Sequence, residues 1–450
     1  MHVREGATLC IPRNNKPQCL VVVILITLYD MNKIESFVYR LVKNNYVVKN
    51  AVRNIYQGFY DILPNYDSDF VSQPIVRKNC FFGFHDLDPF SADDKCVLSN
   101  RLTIPLRMPT KDDVLEVGMW AGPDFGEWTK IGETRAWNYH KGCRLQWAGR
   151  GRCIYNVADG SRVKSEMVDV ASRESRRIDW PIDSVSPDGR FATSFSYERL
   201  QQFMPGYGYV YGDADSFLGE LAPASTGLFL VDLEGNSRTL LVDLAELAAF
   251  RHEADMGDAH HFVTHTEFSH DGRYVAFLHR WYKGVRRKTR LIVYDLHEKQ
   301  MYVSLTTGMV SHYCWNNANG IVAYCRIDDV DSHVYFYGPA MDRYKRCGYP
   351  KLNSDGHHHF VTDNEFVVDT YPDKYRHARI YKVNVETDEV CLLANVRSYK
   401  KFASPTIYKH WSCDLHPRCS SDGKWLCFDS VFPGERSLCI MRLDGNVGIQ

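Results

Sequence analysis

His260-His-Phe-Val-Thr-His-Thr-Glu-Phe-Ser-His-Asp-Gly-Arg-Tyr-Val-Ala-Phe-Leu-His-Arg-Trp-Tyr282 is the stretch on which the fold turns. It reads as a histidine-rich loop, a short strand (Thr266–Ser269), an Asp-Gly turn and a second strand (Tyr274–Leu278). Two apolar runs joined by Asp-Gly are a strong hairpin signal, because glycine takes the positive φ of a tight turn without steric cost. The unit recurs from Pro89, Val185 and Pro417, each time with an acidic turn before an apolar run. Degraded copies occupy Leu145–Tyr155, Tyr313–Tyr324 and Phe360–Val368, which makes seven.

Each hairpin is followed by a third strand-like run, such as Gly227–Leu233 or Leu291–Leu296, and usually by a fourth, such as Arg238–Val242. Seven antiparallel four-stranded units predict an all-β chain folded as a seven-bladed β-propeller. The alternative, an all-β sandwich, requires seven turns in one register by accident. In a propeller the first strand of each blade lines the central channel. Residues before strand one and after strand two then surround one channel mouth, and the Asp-Gly turns lie on the other face. The strand-like run Phe70–Val76 precedes the first unit and is placed to close the ring on the last blade.

Composition narrows the function. The chain has 450 residues, of which the propeller takes 70–450. A net charge of −1 argues against a nucleic-acid binder, so attraction for an anionic partner must be local. Of 14 cysteines, Cys153, Cys314, Cys325, Cys427 and Cys439 sit inside apolar runs, and there is no Cys-x-x-Cys pair. That is the pattern of core thiols in a reducing compartment, and it predicts a cytoplasmic protein ahead of a secreted one. Residues 1–30 read as an upstream extension or a weak signal or anchor, since the apolar run Cys19–Tyr29 is too short to cross a bilayer. Residues 31–69 read as a basic amphipathic helical segment (31–63) and a linker. The helix either packs on the propeller or lies on a membrane surface.

Ten histidines fall in the segments leading into first strands: His85, His140, His260, His261, His265, His312, His357, His358, His359 and His416. The predicted topology gathers them on one face, where metal coordination or proton transfer is the usual role of such a cluster. Arg101, Arg199, Arg280 and Arg326 each follow a second strand and suit two-pronged capture of an oxyanion. The third unit carries an insertion, Glu198–Thr226, rich in tyrosine and including Tyr209 and Tyr211. It is long enough to form a lid or a sugar-stacking wall.

Thr264-His-Thr-Glu-Phe-Ser269 resembles the His-x-x-Phe-Ser segment of the oligogalacturonate lyases. Ser311-His-Tyr-Cys-Trp315 is similar to that family's His-x-x-Trp loop, and Asp414-Leu-His-Pro417 to its His-x-His-Pro loop. The sequence departs from the family at Asp414 and Trp411, which stand where it has histidine and glutamine. The resemblance implies cleavage of an acidic oligo- or polysaccharide by β-elimination, with a divalent metal at His312, Asp414 and His416 joined by His357 or His359. Manganese is the expected ion, with calcium and zinc as alternatives, and aspartate is an acceptable ligand for it. It further implies His265 as base and Arg199 or Arg280 as base assistant or charge neutraliser. His85, Arg101, His140, Tyr209, Tyr211, His260, His261 and Arg326 are left to hold substrate. The competing reading is a non-catalytic propeller that binds glycan or scaffolds polysaccharide assembly. A peptidase propeller is disfavoured, because no Gly-x-Ser-x-Gly elbow is present.

Overall fold

The computed structural model describes residues 58, 60, 66–211, 217–284, 286–404 and 410–444. Ser68–Pro372 with Arg376–Asp444 forms a ring of seven antiparallel sheets. Blade 1 is Cys80–Phe81, Val97–Leu102, Leu115–Ala121 and Glu127–Thr134, from the axis outward. Blade 2 is Gln146–Trp147, Arg152–Asp159, Arg162–Asp169 and Ser175–Ile178. Blade 3 is Phe191–Ser194, Gly227–Asp232 and Ser237–Asp243, its innermost strand reduced to the bridge between Val185 and Ala192. Blade 4 is His260–Phe268, Tyr274–Lys283, Arg286–Asp295 and Gln300–Val303. Blade 5 is Val310–Trp315, Ile321–Ile327, Val330–Phe336 and Tyr344–Arg346. Blade 6 is His358–Thr362, Glu365–Asp369, His377–Asn384 and Val390–Arg397, and blade 7 is Arg418–Cys419, Trp425–Ser430 and Ser437–Arg442.

The ring closes as the sequence predicts. Ile75–Lys78 becomes the outermost strand of blade 7, with Ile75 opposite Ile440 and Lys78 opposite Ser437. One feature lies outside that prediction: Asp69–Phe70 adds a fifth strand to blade 6, against Ala394 and Asn395. The N-terminal end of the ring is therefore fastened to two blades. The expected extension at 1–30 and amphipathic helix at 31–63 lie outside the described residues, apart from Gly58 and Tyr60. A second unit comprises Met1–Asp67, Asp373–Tyr375 and Gly445–Gln450; in it the Tyr60 ring meets Tyr375 edge-on at 5.0 Å.

The repeated turn explains why the hairpins form where they do. Ser186, Ser269 and Ser420 each donate their hydroxyl to the aspartate two residues on, and that carboxylate accepts the next free backbone N–H. Each serine oxygen also accepts the N–H five residues ahead, so the turn satisfies its own polar groups. Gly189, Gly272 and Gly423 hold φ of 71°, 72° and 68°. In blade 1 the same position is Asp94 at φ 56°, a residue that tolerates the left-handed region. Between blades the packing is aliphatic and aromatic: Ala276, Leu278, Leu291 and Val293 of blade 4 share one core with Tyr313, Trp315, Ala323 and Val334 of blade 5. Removing a side chain such as Leu278 there would cost about 3 kcal/mol. The twelve described cysteines are all free, and most are buried in these layers.

Candidate metal centre and binding cleft

The inner strands are not regular where they cross the axis. Blade 4 shifts register between Thr264 and Glu267, and blade 5 between Val310 and Tyr313. Such bulges re-aim side chains beside functional sites. His265 sits in the first bulge at φ 54°, and His416, before the inner strand of blade 7, lies at φ 44°. The consequence is that His85, His265, His312, His357 and His416 converge on Phe84, with ring centroids 4.6 to 5.9 Å from its own. All six side chains are buried.

Each of these imidazoles is held at Nδ1. His416 donates to the Gly83 carbonyl at 2.7 Å and His85 to the His358 carbonyl at 2.9 Å. A carbonyl only accepts, so both rings carry their proton on Nδ1 and present a lone pair at Nε2. His357 Nδ1 meets Asp369 at 2.9 Å, His312 Nδ1 meets Asp355 at 3.2 Å, and His265 Nδ1 meets Thr264 Oγ1 at 2.7 Å. Asp369 also accepts the backbone N–H groups of His357 and His416, which locks two ring-bearing segments to one carboxylate. His416 Nε2 is buried with no hydrogen-bond partner among the described residues.

Ligand atoms of His357, Asp414 and His416 lie within 4.8 Å of one another. Two imidazole nitrogens and one carboxylate, with a partnerless Nε2 among them, suit a first-row divalent ion. Burial lifts the Asp414 carboxyl to about 6, and it lifts Asp369 well above the usual carboxylate range. A bound cation draws both back to the ionised form. Burial is also the main reason that His265, His357 and His416 have pKa values well below an ordinary histidine's, so they stand as neutral bases and ligands at neutral pH.

The other expected site residues distribute as follows. His312 packs against His357 with tilted rings at 4.0 Å but is not within the tight ligand set. His359 lies two residues farther along the inner strand than His357, outside the ligand set, and lines a cavity of about 1070 Å³ with Glu267, His270 and Trp315. His358 pairs with His333 at 2.7 Å. His140 reaches the cleft; Tyr207 stacks on it at 4.9 Å, His410 touches its Nε2, and Asp414 lies 3.8 Å from its Nδ1. His261 is taken up by His279 and the Met256 carbonyl, and His260 lies on Phe203.

The four arginines diverge despite their common position. Arg199 is buried in the start of the insertion, in a helix Tyr197–Phe203 that the sequence reading did not include. Its guanidinium donates to the carbonyls of His261, Phe217, Glu220 and Leu221, so it fastens the insertion and does not face the cleft. Arg326 forms a two-pronged pair with Asp331, and Arg101 lies 5.8 Å from the Trp128 ring. Arg280 alone of the four is buried and, among the described residues, unpaired, with Nε lacking a partner there. Of the tyrosines, Tyr209 is buried and accepts from Asn156, and Tyr211 packs on the outer side of the same core. Tyr207 is the one that reaches the cleft, 6.0 Å from His265. Phe84, Asp369, His410 and Tyr207 were not singled out as site residues in the sequence. Only Tyr207, in the tyrosine-rich insertion, carried a signal there.

Below the histidines lies a buried ionic cluster. Asp183 accepts from Lys141 Nζ at 2.6 Å, Tyr197 Oη at 2.9 Å and the N–H and hydroxyl of Thr266, and Arg144 bridges it to Asp86. The cluster ties blades 1 to 4 together directly beneath His265.

Neither a family model nor a curated protein sequence matches the chain. Solved structures do. An oligogalacturonate lyase in complex with manganese superposes with a TM-score of 0.57 at 14% identity, over 85% of this chain and 98% of that one. The oligogalacturonate lyase of Vibrio parahaemolyticus gives a TM-score of 0.54 at 11% identity, over 85% of this chain and all of that one. The likeness is one of fold: both are matched along almost their whole length by this propeller.

Proposed function

We propose that the protein is a lyase that cleaves a uronic-acid-containing glycan by metal-assisted β-elimination at the histidine mouth of the channel. The observation that carries the reading is the pre-set ligand group of His357, Asp414 and His416 beside a neutral His265 and an unpaired Arg280. The fold likeness to lyases of oligogalacturonate, one of them a manganese complex, supports it. A divalent ion, manganese on this reading, would supply positive charge beside the uronate carboxylate and so acidify the neighbouring C5–H.

The protein's own groups do the rest. An Nδ1–H donated to Thr264 Oγ1 leaves His265 Nε2 as the base that takes the C5 proton. Arg280 assists it, since a nearby cation disfavours imidazolium and keeps the base free. The electron pair forms the C4–C5 double bond as the C4–oxygen bond breaks. Burial keeps Tyr207 protonated well above neutral pH, so its hydroxyl is available to protonate the departing oxygen. Phe84 and the ionic cluster below it give the cleft a buried floor.

The test is ultraviolet detection of the unsaturated uronate end after incubation of manganese-loaded protein with uronate oligomers. Product that disappears in His265→Ala is the expected result. Saturable glycan binding with no product under any divalent ion would instead identify a binding propeller.

A further inference from the structure

Six arginines are buried among the described residues, and five have obvious partners. Arg144 is paired with Asp86 and Asp183, Arg418 with Asp429 and the Gly83 carbonyl, and Arg290 with His279 and two carbonyls. Arg199 and Arg436 are covered by backbone carbonyls. Arg280, 6% exposed, makes no hydrogen bond or ion pair with any described residue, and its Nε is sealed off. A buried cation without a partner is costly, and proteins retain one mainly where a ligand completes it.

A second guanidinium stands beside it. In the blade 4 hairpin Arg280 lies opposite Thr289 and Tyr282 opposite Arg287. Arg280 and Arg287 are therefore diagonal neighbours on one face of the ribbon, a separation of about 7–8 Å that two arginine side chains easily span. Arg287 also has no ion pair among the described residues and is exposed to solvent. Across from them stands Tyr207, and each arginine acts electrostatically on it. The two like charges repel one another, and the nearby Asp355 carboxylate acts on Arg280 without forming an ion pair with it.

We propose that Arg280 and Arg287 form a two-guanidinium cradle for a second oxyanion, a carboxylate or sulfate carried by the sugar next to the one that reacts. The inference rests on the uronate-lyase reading for the sugar but not for the chemistry, since a cradle binds whether or not a bond is broken. It makes the ligand a glycan charged on adjacent residues. Arg287 is assigned to binding, and Arg280 serves both the cradle and His265.

Calorimetric titration of the metal-loaded full-length protein decides it. The probes are a uronate trisaccharide, a sulfated uronate-containing disaccharide and inorganic sulfate. In Arg287→Gln the trisaccharide should bind roughly tenfold more weakly, with a shallower dependence on salt, as for the loss of one charge-assisted contact. Arg287→Lys should recover part of that loss, and Arg343→Gln, a surface change in another blade, none of it. Whichever of the carboxylated and sulfated sugars loses more identifies the oxyanion. Wild-type affinity of Arg287→Gln for every probe, an equal loss in Arg343→Gln, or no binding of any probe by wild type would overturn the cradle. Arg287-dependent binding without unsaturated product would keep the cradle and overturn the lyase instead.

Discussion

The two ends of the channel are built from the same repeat and could hardly be less alike. At the Asp-Gly end lies a space of about 1070 Å³, yet its turns satisfy their own serine, aspartate and backbone groups. The histidine end is defined by converging side chains. Five imidazoles crowd one phenylalanine, each fixed at Nδ1, and among the described residues His416 Nε2 and Arg280 have no partners. Space alone does not mark a site; convergent polar groups whose orientation is already determined do. The difference arises from the backbone. Regular turns close the hairpins at one end, whereas bulges and two left-handed histidines break the inner strands at the other.

The comparison is most sharply broken at the ligands. Asp414→Ala or His416→Ala should lower elimination by roughly a hundredfold or more, the loss of about 3 kcal/mol of charge stabilisation. Steady-state rates with saturating manganese check this, and Glu267→Gln at the other end should leave them as they are. Next come the two buried arginines. Arg199→Ala strands four carbonyls and should cost about 3 kcal/mol in denaturant unfolding. Arg280→Met removes an unpaired buried charge, so it should raise stability by about 1 kcal/mol while turnover falls. Asp369→Asn should weaken metal affinity by between roughly tenfold and a hundredfold, because it loosens His357 without removing a ligand.

Acid should act unequally on the buried groups. Burial lowers His333 to about 4, so the unfolded chain, near 6.5, takes up the proton first. Stability therefore falls as the pH drops from about 6.5 towards 4, and His333→Asn should flatten that limb of a melting curve. Asp183 behaves differently. Burial raises its carboxyl, but Arg144 and Lys141 outweigh burial and hold it well below the usual range, so its contribution survives until far lower pH. The smallest effect belongs to the turns. Gly272→Ala imposes a Cβ at φ 72° and should cost about 1 kcal/mol with no change in metal binding.

The propeller was legible because its information is local and repeated. An Asp-Gly turn declares itself within four residues, and seven hairpins, three of them with that turn, fix topology, blade order and the closing strand at Ile75–Lys78. The histidine mouth was legible to the extent that topology alone determines it, which is why five of ten histidines converge. What decided among them was not in the spacing. His359 is carried to the cavity at the other end by its place farther along the inner strand, and His265 and His416 are turned inward by positive φ values that histidine seldom adopts. The arginines make the same point: position after a second strand is common to four, but partners such as Asp331 or the insertion's carbonyls determine which one stays free. Long-range partners like Asp369 leave no mark in the sequence around His416, 47 residues away.

Manganese titration followed by electron paramagnetic resonance tests the central claim most directly, on wild type, Asp414→Ala and Glu267→Gln side by side. One tight equivalent in wild type and in Glu267→Gln, and none in Asp414→Ala, is the predicted result. Retention of the ion in Asp414→Ala, or its loss in Glu267→Gln, would place the metal elsewhere and contradict the account.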